Sequence, residues 1–148
     1  MSIFPTKVLL ATDGSEDARL ANETAVDLAQ STNSELHVIT VGGGQPDPAY
    51  YLETQVTYEE AYEAVRREAQ AILAKQVKQI EELGGRIAAT YIKQGDRAQE
   101  IVKLSEELGV GLIVMGSRGL GGLKRAFMGS VSDSVVRHAH CPVMIVRR

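Results

Sequence analysis

The run Leu112-Ile113-Val114-Met115-Gly116-Ser117-Arg118-Gly119, followed after nine residues by Gly129-Ser130, decides how this chain is read. A short apolar stretch breaks into a loop carrying glycine at 116, 119, 121 and 122, and a glycine-hydroxyl pair precedes an amphipathic segment. That is the pattern of strand, loop and helix start. Glycines let backbone amides approach a ligand unobstructed, and the first turn of a helix presents unpaired N–H groups at a positive dipole end, so the surface suits phosphate oxygens. The spacing is neither that of a P-loop nor that of a dinucleotide fingerprint, since neither Gly-x-x-x-x-Gly-Lys-Ser/Thr nor Gly-x-Gly-x-x-Gly occurs.

Outward from this stretch the elements alternate. Val8 to Ala11 is an uninterrupted apolar run of the kind buried on both faces of a parallel sheet, ended by Thr12-Asp13-Gly14-Ser15. Ala18, Ala21, Ala25, Leu28 and Ala29 follow at helical spacing. Leu36 to Val41 reads as a second strand, and Gly42, Gly43, Gly44, Pro46 and Pro48 as a flexible connection. Apolar positions recurring at three and four predict one long helix over 57–83, stopped by Gly84-Gly85. Arg86 to Ile92 is a third strand. Asp96 with Gln99 forms a capping-box pattern for a helix that turns Ala98, Ile101, Val102, Leu104, Ser105 and Leu108 toward the sheet. Leu112 to Met115, a helix over 131–138 and Val143 to Val146 complete the chain. Helices between successive buried strands predict an α/β fold, a parallel sheet with helices on both faces and right-handed crossovers.

Composition sets bounds. The 148 residues match one domain with one substantial core, spanning 1–148. Sixteen basic against nineteen acidic residues, a formal charge of -3, supply no diffuse basic field, and tryptophan is absent, which disfavours nucleic-acid binding. The single cysteine cannot form an internal disulfide, the N-terminal stretch does not read as a signal peptide, and no apolar run is long enough to span a bilayer. The expected compartment is the cytoplasm, with no membrane partner.

Gly116-x-x-Gly119, nine residues, then Gly129-Ser130 resembles the nucleotide-binding signature of the universal stress protein family. Ala11-Thr12-Asp13-Gly14-Ser15-Glu16 and Cys141-Pro142-Val143-Met144-Ile145-Val146 are similar to that family's first and last strand motifs. The resemblance covers essentially the whole chain. It implies an open five-stranded parallel sheet of order 3-2-1-4-5, Rossmann-like and of the adenine nucleotide alpha hydrolase type. It further implies ATP as ligand, which Mg2+ accompanies because triphosphate oxygens bring their own ligands, and it agrees with a homodimer that the apolar edge strand Val143 to Val146 invites by pairing with its own copy. The first and fourth strands then lie side by side where the connections diverge, and Asp13 and Gly116 end them at the switch point.

Each candidate residue has a structural role and a ligand role to weigh. Asp13 braces the first turn or, as the resemblance implies, contacts the ribose. Ala11 and Thr12 match the loop that lies along the adenine in ATP-binding relatives. Val41 matches the position whose backbone N–H and C=O read the adenine edge, and is otherwise an ordinary core valine. Met115 packs against the nucleoside or only against the core. Gly116, Gly119, Gly129, Ser130, Val131 and Ser132 are the expected phosphate-binding set. Ser130 with Asp133 also reads as a capping box, with Ser130 as the N-cap. Arg118, Lys124 and Arg125 serve phosphate or are merely solvated. His138, His140 and Cys141, with His37 in another strand, do not make a metal site; His138 suits a helix C-terminus and Cys141 a buried position.

No nucleophile, base and orienting group are discernible, so no catalytic residue is assigned. Three function classes stay open: a nucleotide-responsive regulatory module of the stress response, a slow ATPase or phosphotransfer enzyme, and an interaction protein whose glycines are only loop geometry.

Overall fold

The computed structural model describes residues 2–43, 52–117 and 129–147. Five strands, β1 (Lys7–Ala11), β2 (Glu35–Gly42), β3 (Ile87–Gln94), β4 (Leu112–Gly116) and β5 (Val143–Val146), form one sheet of order β3-β2-β1-β4-β5. Every pairing is parallel. The helices are α1 (Glu16–Thr32), α2 (Tyr58–Glu82), α3 (Arg97–Leu108) and α4 (Ser130–His138). The expected strand order and the alternation of strands with helices are both present.

The period of two along β1 divides the core. Val8 and Leu10 face α1 and α2 with Ala21, Ala25, Ala29, Leu73 and Ile80; Leu9 and Ala11 face α3 and α4 with Ile101, Leu104, Ile113 and Val135. Leu9 and Leu10 are wholly buried, and each such side chain contributes about 1.5–3 kcal/mol relative to exposure. Alanines at 18, 21, 25 and 29 let α1 approach the sheet closely, as their helical spacing predicts.

Caps fix where the helices start. Ser15 accepts from Ala18 N–H at the head of α1, Thr57 from Glu60 N–H at the head of α2, and Asp96 from Gln99 N–H at the head of α3. Gly84, at φ +87, follows the last turn of α2, where a left-handed conformation favours glycine.

Three expectations need adjustment. Gly42 belongs to β2, paired with Gln94, instead of to the connection after it. β3 runs two residues further than Ile92 because its parallel register with β2 continues to Gln94. Cys141 is half-buried instead of buried, packed beside Val135 and Ile113 at the sheet edge where β5 leaves one side open. Gly44, Pro46 and Pro48 lie outside the described residues, as do Arg118, Gly119, Lys124 and Arg125.

Candidate functional site

β1 and β4 are neighbours, and the chain leaves their carboxyl ends toward opposite halves of the sheet. The crevice that this divergence opens is a cavity of about 490 Å³, within the usual range for small-molecule sites. Its floor is Ala11 with Met115, register partners on β1 and β4, and its walls are Thr12 and Asp13, Val41, Gly116, and the stretch Gly129 to Ser132. All the candidate residues among the described ones therefore meet in one place, although about a hundred residues separate Asp13 from Gly116. Gly119 lies outside the described residues.

Asp13 Oδ1 accepts from Ser15 N–H at 2.9 Å, closing a tight turn in which Gly14 takes φ +81. The structural role weighed for Asp13 is thus real, and its carboxylate also borders the cavity. Thr12 is buried with its polar groups spent: N–H on Ile39 O at 3.0 Å, hydroxyl on Gln76 Oε1 at 3.1 Å, carbonyl receiving Thr40 Oγ1 at 3.2 Å. It forms wall. Val41 O receives Arg97 Nε at 3.4 Å.

The start of α4 corrects the capping-box reading. Gly129, not Ser130, is the N-cap: its backbone is extended at φ -67 and ψ 161, and its carbonyl accepts from Asp133 N–H at 3.0 Å. Ser130 is the first helical residue, and no side chain among the described residues caps this end. Asp133 instead pairs with Arg137 one turn on, at 3.0 Å. A glycine cap brings no side-chain acceptor of its own to the first-turn amides of α4, and the positive end of the helix dipole is directed at the cavity rim. Ser132, 2% exposed, donates its hydroxyl to Ser117 O at 2.8 Å and Gly129 O at 3.0 Å, and so holds the helix start to the end of β4.

The histidines stand elsewhere. His37 is buried between Tyr91 OH, 3.0 Å from Nδ1, and Glu35, 3.1 Å from Nε2. His138 Nδ1 lies 2.8 Å from Ser134 O at the end of α4, and His140 pairs with Glu106 across 3.5 Å. Burial pushes the Cys141 thiol above its ordinary pKa, against a smaller opposing effect of a backbone hydrogen bond at Ile113. Among the described residues no three His, Cys, Asp or Glu side chains are grouped to hold a metal ion, and no described helix is long and apolar enough to cross a membrane.

Sequence reasoning missed the outer wall: Val65, Glu68 and Ile72 of α2 and Arg97 of α3 also line the cavity. A signal for them existed. In a parallel sheet each crossover helix rises from the carboxyl edge of the strand before it, so α3 borders the crevice with its first residue, Arg97, and α2 with residues 65–72, two to four turns into the helix.

A family model, the universal stress protein family, matches residues 5–147. Universal stress protein YxiE of Bacillus subtilis is 37% identical over 147 residues, covering 95% of this chain and 98% of its own. The solved universal stress protein UspA from Lactobacillus plantarum superposes with a TM-score of 0.80 at 25% identity, covering 99% of this chain and 100% of its own. A universal stress protein solved in complex with cAMP matches with a TM-score of 0.67 at 25% identity, covering 97% of each chain. With the whole sheet, its strand order and nearly the full sequence in agreement, this chain belongs to the universal stress protein family.

Proposed function

We propose that the cavity binds ATP, with Mg2+ carried on the phosphate oxygens, and that the protein is a nucleotide-responsive regulatory module of the cytoplasmic stress response, dimeric through Val143–Val146. The carrying observation is the convergence of Ala11 to Asp13, Val41, Met115 with Gly116, and Gly129 to Ser132 on one cavity. Its layout has the polarity of a nucleotide. β2 and β4 stand two strand spacings apart across β1, about 10 Å, the scale of the distance from a base to its phosphates. At the β2 end, backbone groups at Val41 offer edge recognition. Between the ends, Asp13 suits ribose hydroxyls. At the β4 end, the uncapped amides of Ser130 and Val131 suit phosphate oxygens. A relative solved with cAMP supports an adenine nucleotide as the ligand class.

For the dimer, β5 is an edge strand with the apolar sequence Val-Met-Ile-Val, open to pairing with a second copy. Calorimetry with ATP tests the central claim: the wild-type protein binds, and replacing Gly129 by Leu, which puts a bulky side chain at the N-cap of α4, is expected to abolish binding while the sheet stays folded. Equal binding by that variant overturns the site.

A further inference from the structure

Arg97 is the first residue of α3, next to the capping Asp96, and its side chain reaches over the end of β2. Nε donates to Val41 O at 3.4 Å, and an Nη nitrogen lies 3.3 Å from where a Cβ would stand on Gly43. A guanidinium presents its N–H donors in a rigid planar fork and has no acceptor. With Nε given to Val41, the two Nη groups make no hydrogen bond among the described residues. Arg97 lines the cavity beside Val41, Gly42 and Gly43, the end of β2 where the nucleotide reading puts the base.

This arrangement has a chemical polarity. An exocyclic amino group approaching Val41 O finds that oxygen already accepting from a cation, with further donors alongside. An exocyclic oxygen finds those donors free. We propose that Arg97 sets the base preference of the cavity: its Nη donors meet the oxygen of a 6-keto purine, so that inosine and guanine nucleotides are held about as well as adenine nucleotides. The proposal rests on the nucleotide reading above, with the base at the β2 end. It assigns Arg97 to the base and not to the phosphates, because the uncapped amides of α4 lie at the other end of the cavity, beyond β1.

ATP and ITP share ribose and triphosphate and differ in the exocyclic group at position 6 and in the proton on N1, so the change in the ratio of their dissociation constants when Arg97 is substituted, and not the ratio itself, isolates the contact. In the wild-type protein the two constants are expected within about threefold of each other, and Arg97→Met is expected to shift the ratio about tenfold toward ATP, the loss of one charge-assisted hydrogen bond. Arg97→Lys keeps the charge but loses the fork, and is expected to shift the ratio in the same direction. Gly43→Ala keeps Arg97 and crowds its Nη group, and is expected to give a smaller shift of the same sign. Thermal melting checks that each variant is folded. ATP binding with ITP refused by the wild type overturns this inference and leaves the ATP reading standing. Equal loss of both ligands in Arg97→Met, or an unmoved ratio in Arg97→Lys, overturns it too. Binding of neither ligand by the wild type overturns both.

Discussion

Ser132 donates its hydroxyl to the carbonyl oxygen of Ser117 across 2.8 Å, tying the helix start after residues 118–128 to the strand end before them. The same carbonyl receives Gly129 N–H at 2.7 Å, so Ser132→Ala removes one donor without orphaning the acceptor. The expected cost is about 1 kcal/mol, read as a lower urea midpoint. Because both ends of the proposed phosphate site hang on this tie, ATP affinity is expected to fall as well. Unchanged affinity with lowered stability would confine Ser132 to the scaffold.

The fold was legible because both of its periods are clean. β1 and β4 are apolar without a break, and α1, α2 and α3 repeat at three and four, so element types and most bounds follow from burial alone. The convergence of Asp13 with Gly116 was legible only through strand order, which periodicity does not encode and the family resemblance supplied. The cap of α4 was misread for a local reason: Ser130 has the hydroxyl, but Gly129 has the extended backbone, and an N-cap is defined by backbone geometry before side-chain chemistry. Arg97 was not legible, since a base at the first helical turn is ordinarily solvated.

Asp13 carries two roles that a pair of substitutions separates. Asp13→Asn keeps an oxygen for Ser15 N–H and loses the charge; Asp13→Ala loses both. The asparagine variant is expected to stay within about 1 kcal/mol of wild-type stability while ATP binding weakens about tenfold. The alanine variant is expected to lose stability too. If Asp13→Asn binds ATP like the wild type, the residue only braces the turn.

Behind Thr12 lies a buried polar network that no motif announced. Asn22 Nδ2 donates to Gln76 Oε1 at 2.6 Å and Gln79 Oε1 at 2.7 Å, and Thr12 Oγ1 shares Gln76 Oε1. Asn22 Oδ1 is itself buried with no hydrogen-bond partner among the described residues. Asn22→Leu therefore removes one unsatisfied atom while it deprives two acceptors of a donor, and a net cost of about 1 kcal/mol is expected. Gln76→Leu strips the acceptor from both Thr12 and Asn22 and is expected to cost about 2–3 kcal/mol. Chemical denaturation of the singles and the double tests the coupling: the double is expected to cost less than the sum. Additive costs would mean that the groups act independently.

The path from the cavity to the sheet edge is short and made of backbone. Gly129 N–H bonds Ser117 O, Ser117 N–H bonds Val146 O at 3.1 Å, and Gly116 stands in register with Val146 on β5. A second route runs along α4 through Ala139, Cys141 and Pro142, where Pro142 O receives Ile113 N–H at 3.0 Å. A ligand seated on the first turn of α4 therefore pulls on both ends of β5. It shifts an equilibrium at that edge only if it binds the paired and unpaired edges with different free energies. On that condition ATP is expected to alter dimer affinity in sedimentation, or to raise amide exchange protection over Val143 to Val146. Each β5 amide gains protection only if the strand opens less often, so the exchange measurement separates a tightened edge from mere occupancy of the cavity. Protection that rises at Ser130 to Ser132 but not at β5, with dimer affinity unmoved, would mean that binding stops at the helix start, and the nucleotide would then be a structural ligand or a substrate whose turnover is the next quantity to measure.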